Sequence, residues 1–93
     1  MEISEFQNIM KERFMEEAKK RGKLFAISLL LEEAGELSWG VLHKSEDVIK
    51  REIADCMFVL IMIANLYEID VNSAISEYYV ERNVDEVIGR WLT

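Results

Sequence analysis

The feature that most constrains the fold is an apolar stretch, LLLEEAGELSW (residues 29–39), that carries three acids: Glu32, Glu33 and Glu36. A second segment, REIADCMF, places Glu52 and Asp55 among apolar residues in the same way. Leucine, alanine and methionine favour helices with a buried face. Because a buried charge is costly without compensation, these acids must share a partner or a proton. The sequence therefore predicts a polar site inside an otherwise apolar helical unit.

The composition favours one all-α domain that spans residues 1–93. The chain has no proline and four glycines, and 51% of its residues are hydrophobic. The length fits a single domain, and the absence of proline favours uninterrupted helices. A small domain has a large surface for its volume and buries only a modest core. Its high hydrophobic content therefore predicts self-association.

Charge and cysteine content exclude several classes of protein. The net charge of −7 argues against a nucleic-acid-binding surface, which needs a basic stripe. A single cysteine excludes an internal disulfide framework. No signal segment opens the sequence, and the apolar run at residues 56–64 is far shorter than the ~20 residues that span a bilayer. We expect a cytoplasmic protein with no membrane or nucleic-acid partner.

Apolar periodicity and capping residues divide the chain into helices. The predicted helices cover residues 3–20, 24–43, 46–67, a fourth from 71, and a short last helix that ends near 92. Ser45 and Asp70 are the expected N-caps of the third and fourth helices. Asn83 and Glu86 have the spacing of a capping box for the last one.

The second and third helices are separated by only about two residues, which predicts an antiparallel hairpin that turns near Lys44. Glu36 lies eight residues before Lys44, and Glu52 lies eight residues after it. Glu33 and Asp55 each lie eleven residues from the turn. In an antiparallel pair, these four acids fall at matching heights, and their positions interrupt the apolar faces.

Four carboxylates between packed helices would repel one another, so they need protonation or a cation. An all-oxygen site suits Mg²⁺ or Mn²⁺, whereas zinc would favour His and Cys ligands. The alternative is a solvated acidic face, the usual explanation of an acid-rich helix. The matched heights on apolar faces favour the metal site.

The motifs EEAGE and EIAD, with fifteen residues between them, resemble the EExxE…ExxD signature of the MazG-like nucleoside triphosphate pyrophosphohydrolases. Their surroundings, ISLLLEEAGELSWGVL and IKREIADCMFVLIMIANLYEIDVNSAI, are also similar to that family's core. The similarity covers about residues 24–75, and the two motifs together are specific.

The resemblance implies an all-α, four-helix fold that forms dimers or tetramers. It also implies Mg²⁺-dependent hydrolysis of nucleoside triphosphates, often deoxy forms, to the monophosphate and pyrophosphate. Matched by motif position, the metal ligands would be Glu33, Glu36, Glu52 and Asp55. Glu32 would support these ligands or orient the attacking water.

The fourth helix departs from the family pattern, in which a Lys followed by Asn or Arg holds phosphates. This chain reads SEYYVERN, so Tyr78 stands about where the Lys is expected and Arg82 is the nearby phosphate candidate. Lys50 and Arg51, which directly precede Glu52, could also reach phosphates, with a solvated helix face as the alternative. Trp39 is a candidate to stack on a base, with packing as the alternative.

Two other functions are weighed against this one. A non-catalytic oligomerisation module, or a nucleotide- or metal-binding module of the same fold, is favoured by the departures in the fourth helix. A di-iron carboxylate bundle would use Glu-x-x-His pairs from two helices, and the single histidine, His43, forms none. Cys56 is not expected to be a nucleophile, because the sequence pairs no base with it.

Overall fold

The computed structural model describes residues 1–92, and this range contains five α-helices and no strand. The helices are α1 (Ile3–Arg21), α2 (Lys23–Leu42), α3 (Glu46–Leu66), α4 (Val71–Ile75) and α5 (Val84–Leu92). A π-helical turn, Ser76–Val80, continues α4. The all-α prediction is confirmed, while the separate short α5 makes five helices where the resemblance implied a four-helix fold.

The core lies along α3, which packs against both α1 and α2. Ala18 of α1, Ala26 of α2 and Met62 of α3 form a buried cluster. Phe14 and Phe58 meet edge to face beside it, with ring centroids 5.1 Å apart. Because α3 packs against both of the other long helices, it holds most of the buried side chains among the described residues.

The helix starts follow the predicted capping residues. Asp70 Oδ1 accepts a hydrogen bond from Ser73 N at 3.1 Å. Asn83 Oδ1 accepts from Glu86 N at 2.9 Å, and Asn83 Nδ2 donates to Glu86 Oε1 at 2.8 Å. Ser45 occupies the predicted N-cap position of α3, but its side chain makes no capping hydrogen bond. Residue type therefore predicted where all three helices begin, although the side-chain capping hydrogen bond forms at only two of them.

The predicted hairpin between α2 and α3 is confirmed, and it turns at Lys44, whose φ is 54°. The helices approach closely near this turn, where a Cβ on Gly40 would lie 2.9 Å from Val48 Cγ1. Ser45 N donates to Gly40 O at 3.0 Å. Glycine at position 40 thus permits the tight packing that sets the register of the two helices.

A buried amide pair connects α1 to the end of α3. Gln7 and Asn65 are 5% and 3% exposed. Gln7 Nε2 donates to Asn65 Oδ1 at 2.9 Å and to Ile69 O at 2.6 Å. Val71 N donates to Gln7 Oε1 at 3.0 Å. One side chain therefore fixes the connection between α3 and α4 against α1.

We expect Gln7→Leu to lower the free energy of unfolding by about 2 kcal/mol, because it removes three hydrogen bonds and leaves the buried Asn65 Oδ1 without this partner. Asn8→Leu changes the exposed neighbouring position and should alter stability by less than about 0.5 kcal/mol. Denaturant unfolding followed by circular dichroism at one protein concentration compares the two. Equal stabilities would show that the amide pair does not hold the α3–α4 connection.

Candidate metal centre

The α2–α3 hairpin brings five acids into one acidic cluster: Glu32, Glu33, Glu36, Glu52 and Asp55. Carboxylate oxygens of Glu33, Glu52 and Asp55 lie within 4.8 Å of one another. A second group with the same spacing joins Glu33 to Glu32 and Glu36. The predicted meeting of the two acidic motifs is therefore confirmed, with Glu33 common to both groups.

Burial differs sharply across the acidic cluster. Glu52 is 1% exposed, and Glu33 and Asp55 are half-buried. Glu32 and Glu36 are exposed. Glu52 is buried because α3 is the central helix and residue 52 faces α2. The site is therefore a pocket with a buried floor and an open edge.

The carboxylates of the acidic cluster shift one another's pKa values. The pKa of Glu33 is raised to about 7, first by its hydrogen bond to Glu52, then by burial and the neighbouring charges. The pKa of Glu36 is also raised, again first by a hydrogen bond to Glu52. The pKa of Glu52 is lowered, because it accepts from Glu33. Without a cation, the acidic cluster therefore retains a proton near neutral pH.

Two oxygens at the centre of the acidic cluster, Glu33 Oε2 and Glu52 Oε2, are buried and have no hydrogen-bond partner within the described residues. Buried polar atoms nearly always have a partner, and an unpaired one indicates a missing ion or water. The donors are all carboxylate oxygens, which suit a hard cation such as Mg²⁺ or Mn²⁺. The residues present therefore fit a divalent metal.

A cavity of about 240 Å³ adjoins the acidic cluster and is called the site cavity here. It is lined by Glu36, Trp39, Val48, Arg51 and Glu52. The Trp39 ring is stacked on His43, with centroids 4.1 Å apart and planes 16° apart. Half of Trp39 is exposed, so an aromatic face borders the opening. The structure thus places this predicted base-stacking residue beside the acids.

Two of the cations considered for the phosphates, Lys50 and Arg82, lie away from the site cavity. Lys50 is exposed and does not line the site cavity. Arg82 Nε donates to Glu77 O at 3.3 Å, and Arg82 Nη1 lies 3.9 Å from Glu86 Oε2. Its guanidinium lies 5.6 Å from the Tyr78 ring centroid. Residues 76–92 are called the C-terminal segment here. These three contacts of Arg82 all lie within it.

Of the two neighbouring cations of α3 that could reach phosphates, Lys50 and Arg51, the structure places Arg51 at the site cavity. It lines the site cavity, and its Nε lies 3.6 Å from Glu52 Oε1. Around the helix, Arg51 lies about 100° from Glu52 and Lys50 about 160° from it, so helical spacing itself places Arg51 nearer to this acid. The spacing does not show which residues of α2 lie opposite Arg51. Trp39 and Arg51 would have to be recognised as neighbours, which needs the packing of the two helices.

Cys56 lies directly after Asp55, but its environment disfavours the thiolate. Burial raises the pKa of the thiol, and the charges of Glu33, Glu52 and Asp55 raise it further. A thiol is a weak nucleophile unless it is deprotonated. The structure therefore agrees with a packing role for Cys56.

In the absence of metal, we expect wild-type stability to fall from pH 5 to pH 8 relative to that of Glu33→Gln. The pKa of Glu33 rises from 4.5 to about 7 on folding. Between these values the folded state binds more protons, so its stability is lost as pH rises through the folded pKa. Glutamine cannot titrate. Melting temperatures in chelator at both pH values test this, and parallel pH profiles would contradict it.

Fold and site together define an all-α protein with a carboxylate cluster across a helical hairpin. The family model of the MazG nucleotide pyrophosphohydrolase domain matches residues 21–83, more than half of the chain and all five acids of the cluster. The chain therefore belongs to the MazG nucleotide pyrophosphohydrolase domain family, as the motif resemblance indicated. No curated protein sequence matches it significantly. None of the helices described here is long and apolar enough to cross a membrane.

Proposed function

We propose that the protein is a Mg²⁺-dependent nucleoside triphosphate pyrophosphohydrolase. It would combine a nucleoside triphosphate with water and release the nucleoside monophosphate and pyrophosphate. The observation that carries this proposal is the group formed by Glu33, Glu52 and Asp55, with two buried oxygens that lack partners. Membership of the MazG family supplies the reaction class.

Each acid of the cluster has a proposed role. Glu33, Glu36, Glu52 and Asp55 would hold the metal. A bound divalent cation offsets phosphate charge and acidifies water. Glu32, an exposed acid in the second group, would accept a hydrogen bond from the attacking water and orient it. Mn²⁺ has the same preference for oxygen ligands and would replace Mg²⁺.

The site cavity offers an aromatic face for the nucleoside. Trp39 borders the opening, and a stacked base gains about 1–3 kcal/mol from such a platform. Lys50 and Arg82 remain candidates for the phosphates, with less support because neither lines the cavity.

A panel of ribo- and deoxynucleoside triphosphates with Mg²⁺ tests the proposed activity. We expect equal amounts of monophosphate and pyrophosphate, and no turnover after chelation of the metal. Release of orthophosphate with nucleoside diphosphate would point to a different reaction. No turnover of any nucleotide would contradict the proposal.

A nucleotide-binding module without turnover is the second candidate, and the C-terminal segment favours it. Tyr78 stands about where the lysine is expected and lies near two guanidinium groups, each 5.6 Å from its ring centroid. These belong to Arg82 and Arg90. Metal-dependent nucleotide binding without pyrophosphate release would identify this second function.

We also propose that the protein is a homo-oligomer. Although α2 has 20 residues, only Ala26 and Gly40 are buried. Leu24 and Leu31 are 77% and 69% exposed on its outer face. Three apolar residues of α3 are also exposed: Ile53, Met57 and Leu60. Extensive apolar surface of this kind marks an interface.

We expect light scattering at micromolar concentration to give the mass of a dimer or tetramer. Leu31→Glu should shift the protein toward the monomer, because it places a charge on the exposed apolar face of α2. A folded wild-type monomer under these conditions would contradict the oligomer.

A further inference from the structure

A triphosphate that enters the site cavity meets an excess of negative charge. Two of the five lining residues, Glu36 and Glu52, are acids, and three more acids complete the cluster next to them. A bound metal offsets only part of the combined charge of protein and ligand. Arg51 is the one cation among the described residues that line the cavity.

Arg51 is available to a ligand. Its Nε lies 3.6 Å from Glu52 Oε1, which is longer than a hydrogen bond of about 2.7–3.2 Å. Its side chain is 69% exposed, whereas that of Glu52 is 2% exposed. An arginine has five N–H donors in a planar fork that matches phosphate oxygens. The weak ion pair therefore holds the guanidinium near the cavity, and within the described residues it engages Nε and leaves the two Nη groups for a ligand.

The other arginines of the region are engaged elsewhere. Arg82 contacts Glu77, Tyr78 and Glu86, and Arg90 Nη2 donates to Tyr79 OH at 3.3 Å. All these contacts lie within the C-terminal segment.

We infer that Arg51 binds the phosphate chain of a nucleoside triphosphate in the site cavity. This inference rests on the proposed function and identifies the substrate contact that distinguishes a triphosphate from a monophosphate. When metal occupies the acidic cluster, the guanidinium turns from Glu52 toward phosphate oxygens. Arg51 thereby takes the role that a fourth-helix lysine would have, at a different place in the fold.

Equilibrium binding tests this role without turnover. The probes are the α,β-methylene analogues of the four deoxynucleoside triphosphates, whose carbon bridge blocks cleavage, and the matching monophosphates. Calorimetry with saturating Mn²⁺ gives the affinities of wild type, Arg51→Gln, Arg51→Lys and the control Arg13→Gln, which changes an exposed arginine of α1. We expect Arg51→Gln to weaken binding of the tightest analogue by about 10- to 100-fold, because a charge-assisted contact is lost. Arg51→Lys should retain part of the affinity, and Arg13→Gln should match wild type.

Two further readouts separate a phosphate contact from a structural role. Monophosphate affinity should fall by less than about threefold in Arg51→Gln, because fewer charged oxygens are present. Mn²⁺ affinity without nucleotide should be unchanged or higher, because a cation has been removed beside Glu52. If Arg51 only oriented Glu52, Mn²⁺ affinity would fall instead, and that result would overturn the inference.

The outcomes also separate this inference from the proposed hydrolase activity. If wild type binds the analogue through Arg51 but hydrolyses no nucleotide, the activity is wrong and the Arg51 contact stands. If wild type with Mn²⁺ fails to bind any analogue, or if Arg51→Gln binds as tightly as wild type, the inference is overturned.

Discussion

Replacement of Asp55 by asparagine should reduce nucleoside triphosphate hydrolysis by more than about 100-fold, the usual effect of losing a major electrostatic contribution to catalysis. The change preserves the shape of the side chain but removes a charge from the group shared with Glu33 and Glu52. Hard cations bind charged oxygens, and an amide is a weaker ligand. Rates of pyrophosphate release at saturating Mg²⁺ provide the measurement, and Glu36→Gln should behave similarly.

Asp47→Asn is the matched control, because Asp47 is exposed in the first turn of the same helix. It should retain nearly full activity. Cys56→Ser should also retain activity, since the pKa of the thiol is raised and no thiol chemistry is proposed. Glu32→Gln should bind metal almost normally but turn over slowly. If Cys56→Ser abolished turnover while Asp55→Asn were tolerated, the metal–carboxylate mechanism would be wrong.

A large stabilisation by divalent metal is the second major effect expected. A ligand at 100 times its Kd stabilises the folded state by about 2.7 kcal/mol. For a domain of this size, that corresponds to a rise in melting temperature of about 10–20 °C. The physical reason is the mutual repulsion of the acidic cluster, which a bound cation removes. Thermal unfolding with and without millimolar Mg²⁺ or Mn²⁺ provides the comparison.

The Asp55→Asn variant is a control, because its melting temperature relative to wild type should change in opposite directions without and with metal. Without metal it should melt above wild type, because one repelling charge is gone. With metal it should gain much less stability than wild type. Identical melting temperatures of wild type in metal and in chelator would count against a preformed site.

The sequence predicted the main helices to within a residue or two, because local chemistry determines their ends. Gly22 separates α1 from α2 with a φ of 86°, a conformation that favours glycine. Asp70 and Asn83 start their helices with the side-chain bonds that their residue types suggest. The short connection between α2 and α3 predicted the hairpin. The equal number of residues from Lys44 to the acids of each helix predicted that these acids lie level with one another.

Features that depend on contacts between helices were not predicted. The π-helical turn closes with a hydrogen bond from Glu81 N to Ser76 O at 2.8 Å, and no residue pattern in the sequence predicted this turn. The buried bonds of Gln7 join residues more than 50 positions apart. Arg51 was considered together with Lys50 as a residue that could reach phosphates, but its place in one cavity with Trp39 follows from the packing of α2 on α3. Trp39 was predicted as a possible stacking surface, but its place beside the acids required the fold.

The stoichiometry of Mn²⁺ binding tests the central claim most directly, since that claim is that carboxylates across the hairpin form a metal site. Electron paramagnetic resonance distinguishes free from bound Mn²⁺ during a titration of the metal-free protein. Wild type should bind at least one Mn²⁺ per chain, Asp47→Asn should match it, and Glu52→Gln should lose the site. Equal Mn²⁺ binding by wild type and Glu52→Gln would contradict the account.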